Sequence, residues 1–209
     1  GETWNPVIGC TPISPGCKNC YARELHNMRH KAYLAGKKLP EQYAKPFSDI
    51  QLHYDRLDIP LKWKKSRMIF VCSMSDLFHE DVPFEFIEKV WDTMFDCSFN
   101  YMNIAKTPYH TFVILTKRPD RMAEFYKWMD RCNRNANFGN IWLGVTAENQ
   151  EQADKRIPVL LTIPAAKHFV SVEPMLGEID SEKYLSPIEC TLCNPSECEF
   201  VGDSECRWV

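Results

Sequence analysis

Three cysteines near the start of the chain constrain its fold more than any other feature. Cys10, Cys17 and Cys20 follow the pattern C-x6-C-x2-C in a loop that also contains Pro12 and Pro15. This composition excludes helix and regular strand, so we expect a shaped turn that aims three sulfurs at one point. Closed structural zinc sites take four ligands, and iron–sulfur clusters are most often held by four cysteines. Three cysteines therefore favour a cluster with one open iron; structural zinc completed elsewhere and an inert loop are the alternatives.

Apolar runs that alternate with helix-like stretches indicate repeated βα units around a parallel sheet. We expect strands at residues 3–8, 68–72, 111–115, 141–145 and 169–172. We expect helices at residues 21–35, 83–97 and 119–132, and a further helix that starts within 147–154. Residues 37–63 contain three prolines and should form an irregular excursion. Since parallel strands place all their carboxyl ends on one face, the polar residues after the strands should meet there.

Five motifs occur in order along the chain: TWNPVIGCTPISPGCKNCYA at residues 3–22, SMSDLFH at 73–79, LTKRP at 115–119, LGVTAENQ at 143–150 and SVEPM at 171–175. Together they resemble an uncharacterised, phage-associated family of radical-SAM-like proteins, from residue 4 to about residue 179. The first cysteine gap differs from the C-x3-C-x2-C of the commonest radical-SAM loop, whereas the second gap is the same. The resemblance implies an α/β fold, a partial (β/α)6 TIM-like barrel of radical-SAM type. In the resembled family a sixth, glycine-rich strand would follow residue 209, so we expect either that this chain is a fragment or that the sixth strand is missing.

The resemblance also implies cofactors. Cys10, Cys17 and Cys20 would hold a [4Fe–4S] cluster, and S-adenosylmethionine would bind the open iron through its amino and carboxylate groups. An electron donor would reduce the cluster, and cleavage of S-adenosylmethionine would give a 5′-deoxyadenosyl radical. The candidate cofactor-binding residues follow the strands: Ser73, Ser75, Asp76, Thr116, Lys117, Thr146, Glu148, Asn149 and Glu173.

Several of these residues also have a structural explanation. Asp76 is the strongest partner for the ammonium group of the cofactor, because a carboxylate pairs with an ammonium; its alternative role is a helix cap. Lys117 and Arg118 could bind the cofactor carboxylate or a substrate phosphate, or be solvated charges at a helix start. Thr146, Glu148 and Asn149 could bind ribose hydroxyls, or form a helix-capping group with Thr146 as the cap. Glu173 stands in an apolar strand, and because a buried carboxylate needs a partner we expect an ion pair or a cofactor contact.

Four more cysteines lie near the end of the sequence: Cys190, Cys193, Cys198 and Cys206. Their pattern, C-x2-C-x4-C-x7-C, suits a structural zinc ion that would hold an otherwise flexible insertion in place. A second iron–sulfur cluster and free thiols are the alternatives. We therefore divide the chain into a barrel at residues 1–186 and a cysteine-rich segment at residues 187–209.

The composition is that of an ordinary globular protein. A net charge of −3 and a pI near 6.1 give no global electrostatic case for nucleic-acid binding. Two basic clusters, at residues 29–38 and 62–67, could contact a polyanion or be solvated helix faces. No apolar run approaches the ~18 residues of a membrane helix, and no signal peptide opens the chain. We therefore expect a cytoplasmic protein without membrane contact.

The combined pattern predicts an enzyme that abstracts hydrogen from an unidentified substrate. The phage association of the resembled family suggests a nucleotide or a nucleic acid, by analogy alone. One alternative is a non-catalytic zinc- or cluster-binding adaptor module, and another is a degenerate barrel that binds the cofactors but only partners another protein. An open coordination site and polar residues at four successive strand ends favour the enzyme, because an adaptor needs neither.

Overall fold

A parallel β-sheet is the main element of the protein. The computed structural model describes residues 1–98, 109–134 and 139–185. In chain order its strands are β1 (Glu2–Trp4), β2 (Val7–Ile8), β3 (Gln51–Leu52), β4 (Met68–Val71), β5 (Thr111–Thr116), β6 (Ile141–Thr146) and β7 (Lys167–Ser171). The order in the sheet is β1-β4-β5-β6-β7, and every neighbouring pair is parallel. β2 and β3 form a separate antiparallel pair.

The helices are α1 (Tyr21–Leu34), α2 (Phe84–Asp96), α3 (Pro119–Arg131), α4 (Gln150–Leu161) and the short α5 (Glu182–Leu185). Each of α2, α3 and α4 connects two neighbouring strands of the sheet, because parallel strands need a crossover connection. α2 packs against α3, and α3 packs against α4, so these three helices form a continuous layer. The prediction of an α/β fold with a parallel sheet is confirmed.

The apolar positions of the strands and helices build one core between the sheet and this helix layer. In β5, Phe112 and Ile114 are fully buried, whereas Leu115 lines a cavity on the opposite face, as the alternation of a strand requires. Trp91 of α2 and Phe125 of α3 contribute a ring pair with centroids 4.9 Å apart. The buried stripe of α2 is the one its amphipathic sequence predicts: Phe86, Ile87, Val90, Trp91 and Met94.

The strand predicted at residues 3–8 is divided in the structure. β1 ends at Trp4, and β2 begins at Val7 in a different sheet. Pro6 lies between them, and a proline has no N–H to donate to a strand ladder. Its carbonyl oxygen instead accepts a hydrogen bond from His53 N at 2.8 Å. As a result β2, rather than a strand of the main sheet, leads into Cys10.

The fourth helix begins inside the predicted range of residues 147–154. α4 begins at Gln150, and the side chain of Asn149 accepts a hydrogen bond from Gln152 N at 3.0 Å. Asn149, rather than Thr146, is therefore the N-cap residue.

The excursion at residues 37–63 contains β3 and three short 3-10 turns.

The expected sixth strand and the second cysteine group, formed by Cys190, Cys193, Cys198 and Cys206, lie outside the described residues. The division of the chain at residue 186 therefore stays a prediction. No helix in residues 1–98, 109–134 and 139–185 has the length and apolar character needed to cross a membrane.

Gly9 lies between β2 and the cysteine loop, which is formed by residues 10–20. It cannot carry a side chain without strain. Its φ is +98°, and an added Cβ would stand 2.5 Å from the carbonyl oxygen of Asp49. We predict that Gly9→Ala lowers the free energy of unfolding by about 3 kcal/mol, since backbone strain and overlap with backbone atoms both contribute. Chemical denaturation measures the change.

Gly36 supplies the matched control for this prediction. Its φ of +83° is similar, but nothing lies within 4 Å of an added Cβ. Gly36→Ala should therefore cost only about 1 kcal/mol, the penalty of the left-handed backbone alone. Equal losses in the two variants would show that close approach at Gly9 is not the constraint.

Candidate functional site

The carboxyl ends of neighbouring strands and the cysteine loop border one cavity. Its volume is about 800 Å³, within the range of small-molecule sites. Phe70, Leu115 and Phe169 form an apolar part of its wall, on the sheet face opposite the helix layer. Ten predicted site residues line it: Cys10, Cys17, Cys20, Ser73, Ser75, Asp76, Thr116, Lys117, Thr146 and Glu173. The structure thus brings the cysteines and the strand ends together.

Backbone hydrogen bonds attach the first cysteine to its neighbours. Gly9 N donates to Met74 O at 3.1 Å, and Cys10 N donates to Phe47 O at 2.9 Å. Gly9 also forms a parallel bridge with Ser75. Cys10 therefore lies beside the segment that leaves β4.

A turn and a helix start place the other two cysteines. Pro15–Cys17 is a single 3-10 turn in which Cys17 N donates to Ser14 O at 2.9 Å. Cys20 is the N-cap residue of α1. Both are free thiols, as is Cys10, so three sulfurs at the cavity are available as ligands.

A buried arginine, Arg118, ties the Cys10 side of the loop to the sheet. Its guanidinium donates to Asp76 Oδ2 at 3.2 Å, to Glu80 Oε1 at 3.0 Å and to Thr11 O at 3.1 Å. Its Nη1 also lies 3.7 Å from Cys10 Sγ. Only 5% of the arginine side chain is exposed, and the two carboxylates supply the partners that a buried cation requires.

Glu148 holds the opposite side of the loop. Its buried carboxylate accepts from Arg156 Nη1 at 2.7 Å, from Lys117 Nζ at 3.4 Å and from Gly16 N at 3.3 Å. A Cβ on Gly16 would stand 3.0 Å from both Glu148 Oε1 and Lys117 Nζ, so glycine allows this close approach. Burial alone would raise the pKa of the carboxyl, but a hydrogen bond from Ser14 and the charges of Lys117 and Arg156 hold that pKa below its usual value.

The contacts of Asp76 favour its structural role over a cofactor contact. Oδ1 accepts from Phe78 N at 3.0 Å and from Thr116 Oγ1 at 2.7 Å. Oδ2 accepts from Lys117 N at 3.1 Å and from Arg118 Nη1 at 3.2 Å. A carboxylate has about four acceptor positions, so none remains for the ammonium group that the sequence assigned to it.

Two further predictions need correction. Glu148 and Asn149 do not line the cavity, because one is enclosed by its cations and the other caps α4. Glu173 was expected inside an apolar strand, but it lies beyond the end of β7 and is exposed. It still borders the cavity, and an exposed carboxylate is free to meet a ligand.

Two serines after β4 keep hydrogen-bonding capacity at the cavity wall. Ser73 Oγ donates to Asn5 Oδ1 at 3.1 Å, and Ser75 Oγ donates to Val7 O at 2.9 Å. A hydroxyl that donates one bond still has lone pairs to accept others. Both serines can therefore accept from a ligand without losing these contacts.

Sequence reasoning missed Arg156 altogether. It lies on α4 between Ala153 and Ile157, which are both buried. The helix pattern calls for an apolar residue at such a position, and a buried arginine almost always has a paired partner. A cation on an apolar helix face was the signal that could have found it.

The thiols of Cys10 and Cys17 differ in acidity. Burial is the main cause that raises the pKa of Cys10 to about 11. Burial also acts to raise the pKa of Cys17. Hydrogen bonds at Ile13 and Ser14 and the charge of Lys117 nevertheless leave its pKa below the usual value. Cys17 is therefore the more available thiolate in the metal-free protein.

The three thiols at the cavity are the candidate ligands of a metal group. Among the described residues, no three His, Cys, Asp or Glu side chains are grouped to hold one metal ion. The cysteines of a cubane cluster bind separate irons, so they stand further apart than the ligands of one ion. A cluster with three thiolates carries net negative charge, which Lys117 and Arg118 would offset, and nearby charge is one control on cluster potential.

We predict that Arg118→Lys lowers the free energy of unfolding by about 3 kcal/mol. A lysine cannot reach Asp76, Glu80 and Thr11 together, because it lacks the planar fork of donors. It would leave a buried carboxylate with fewer partners. Chemical denaturation of the full chain measures the change.

Arg134 is the matched control for Arg118. It also bridges two carboxylates, Glu88 and Asp92, but 42% of its side chain is exposed. Arg134→Lys should cost less than about 1 kcal/mol, as surface ion pairs do. A loss as large as that of Arg118→Lys would contradict the role given to burial.

We also predict that iodoacetamide alkylates Cys17 at least about tenfold faster than Cys10 in the metal-free protein near pH 8, because the thiolate is the nucleophile. The alkylation rate of Cys10 should keep rising until the pH approaches about 11. Peptide mass spectrometry over time measures both rates. Equal rates at each pH would show that the two thiols share one environment.

A comparison with models of protein families gives a match over most of the chain. A family model described as a protein of unknown function, DUF5131, matches residues 1–194. No curated protein and no solved structure matches. The matched residues include the whole sheet, the cysteine loop and the cavity.

Proposed function

The chain belongs to the family DUF5131, whose function is not established, and we propose from its site that it is a radical S-adenosylmethionine enzyme. In this proposal Cys10, Cys17 and Cys20 hold a [4Fe–4S] cluster. One observation carries it: three free thiols and the carboxyl ends of neighbouring parallel strands border the same cavity.

When bound, the cluster would supply the electron that cleaves S-adenosylmethionine into methionine and a 5′-deoxyadenosyl radical. The chain itself provides three thiolates, which leaves one iron without a protein ligand. Arg118 and Lys117 place positive charge beside Cys10 and Cys17. The charge of Lys117 favours the thiolate of Cys17, which is the form that binds metal. At Cys10, burial outweighs the charge of Arg118 in the metal-free protein.

Residues after the strands would bind the cofactor. Ser73 and Ser75 offer hydroxyl lone pairs to its amino group. Lys117 is the candidate for its carboxylate, since 19% of the lysine side chain is exposed although Nζ also meets Glu148. Thr146 and Glu173 border the same cavity and are the candidates for its hydroxyl groups. Apolar walls with a few placed polar groups are typical of cofactor sites.

We also propose that the sheet belongs to a radical-SAM-type partial barrel. Its strands follow one another in chain order from β1 to β7, apart from the separate β2–β3 pair. A doubly wound sheet reverses its strand order at a switch point, whereas a (β/α) barrel adds each strand beside the previous one. The sequential order supports winding in one direction, and a sixth strand would follow β7.

Anaerobic reconstitution with iron and sulfide, followed by EPR spectroscopy of the chemically reduced protein, tests the enzyme proposal. We expect a cluster signal that shifts when S-adenosylmethionine is added, because the cofactor would occupy the open iron. Cys17→Ala should abolish this signal. Cys132→Ala is the matched control, since Cys132 is an exposed free thiol at the end of α3 and should leave the signal unchanged.

A variant without Cys190 and Cys193 separates the two cysteine groups of the chain. The S-adenosylmethionine-sensitive signal should persist in it, because the proposed ligands are untouched. A protein that takes up only zinc, or a cluster signal that S-adenosylmethionine leaves unchanged, would contradict the proposal. Either result would favour the adaptor module.

A further inference from the structure

One segment of the chain concentrates positive charge. Residues 18–45 contain seven cationic and two acidic side chains, a local net charge of +5 in a chain whose net charge is −3. The cations are Lys18, Arg23, Arg29, Lys31, Lys37, Lys38 and Lys45. All five lysines are exposed.

In the described part of the chain, acidic neighbours do not neutralise these cations. Within the described residues, no carboxylate forms an ion pair with any of the seven, although other exposed cations do, such as Lys155 with Glu151 at 2.6 Å. The helix dipole favours Lys31 in the last turn of α1. It does not account for Lys18 or Lys37, which lie outside the helix. Uncompensated cations of this kind attract polyanions.

α1 presents apolar side chains to solvent. The residues it buries are Ala22 and His26, whereas Tyr21 and Met28 are each 61% exposed and Leu34 is 68% exposed. Tyr21 and Met28 are two helical turns apart, so they lie on the same side of α1. This exposed side carries an aromatic ring, and basic residues precede and follow it in the chain.

The exposed side of α1 is continuous with the cavity. Residues 19–22 line the cavity, and Tyr21 OH donates to Ser73 O at 2.6 Å, which fixes the ring at the rim. α1 has 14 residues, so it extends about 21 Å from this rim. Lys37 and Lys38 follow its far end.

The second basic cluster, at residues 62–67, has a different environment. Lys62 pairs with Asp58 at 2.7 Å, and Arg67 pairs with Glu2 and lies over the Trp63 ring. This cluster precedes the amino end of β4, whereas the cavity lies at the carboxyl ends of the strands. The structure therefore distinguishes two clusters that the sequence makes look alike.

We propose that the exposed side of α1, together with residues 35–45, is a docking surface for single-stranded nucleic acid that leads one nucleotide to the cavity. The inference rests on the proposed function for the chemistry that follows docking. The lysines would neutralise backbone phosphates, and Tyr21 would stack on a base at the cavity rim. A single strand fits better than a duplex, because a base must leave its stack before it can enter a cavity.

Fluorescence anisotropy with a labelled oligothymidine of about 20 nucleotides tests this surface on the full, metal-free chain. In about 50 mM salt, Lys37→Glu combined with Lys38→Glu should weaken binding at least about tenfold. The slope of log K against log salt should fall in magnitude by about 1.4, since each phosphate contact to a single strand contributes about 0.7.

Lys64→Glu combined with Lys65→Glu is the matched control. Both lysines are exposed neighbours in the second basic cluster, and the change in net charge is the same. Binding should change by less than about twofold, because a distant charge is screened at this salt concentration. An equal loss in the two double variants would overturn the assignment of the surface to α1.

Tyr21 tests the stacking contact separately. Tyr21→Leu should weaken oligothymidine binding about fivefold or more, because it removes an aromatic platform. Tyr21→Phe keeps the ring and should bind within about twofold of the unmodified protein. Equal affinity for Tyr21→Leu and the unmodified chain would contradict stacking at the rim.

Two results would overturn the docking proposal as a whole: no binding in low salt, or tighter binding of a duplex than of the single strand. The assay needs no iron, so its outcome is independent of the enzyme proposal. If Cys17→Ala and the unmodified protein both fail to hold a cluster but bind oligothymidine, the docking surface stands and the proposed function fails. If the cluster responds to S-adenosylmethionine but the chain does not bind oligothymidine, the enzyme proposal is supported and the docking proposal is contradicted.

Discussion

Two buried carboxylates, Asp76 after β4 and Glu148 after β6, set the conditions for the rest of the site. An unpaired charge in the interior is costly, and each carboxylate lies against an arginine, Arg118 or Arg156. The Arg118 guanidinium then reaches the carbonyl of residue 11, and Glu148 reaches the Gly16 amide. The loop between these two points has a single 3-10 turn as its regular structure. Charged contacts therefore hold the sulfur-bearing loop from both sides.

This arrangement divides the polar residues between two tasks. Buried ion pairs add little net stability compared with apolar packing of the same volume, so their presence here is better explained by positioning of the loop. The groups left for a ligand are the more exposed ones, Lys117 and Glu173, and the hydroxyls of Ser73 and Ser75. The ion pairs can hold the loop in one conformation while the side chains of those few groups rotate to contact a ligand.

Local patterns predicted the elements well, because apolar alternation and helical spacing act within one strand or helix, as in β5 and α2. The partners of the polar residues were not predictable in this way. Asp76 and Arg118 are 42 residues apart, and nothing in the sequence around either residue indicates that they form an ion pair. Glu173 shows the reverse error: its apolar neighbours suggested burial, but β7 is the last strand of the sheet in the described part of the chain and is itself largely exposed.

Net charge has a related weakness as a guide to binding partners, because it sums over charges that lie far apart along the chain. The chain as a whole has an acidic excess, whereas residues 18–45 carry a local net charge of +5. α1 connects both aspects of the site, because it begins next to Cys20 and carries Tyr21 at the rim. A nucleic acid that lies along α1 would therefore contact the same helix that positions a proposed cluster ligand. Docking and cluster geometry would share one rigid element, which gives the substrate a direct physical means to influence the redox centre.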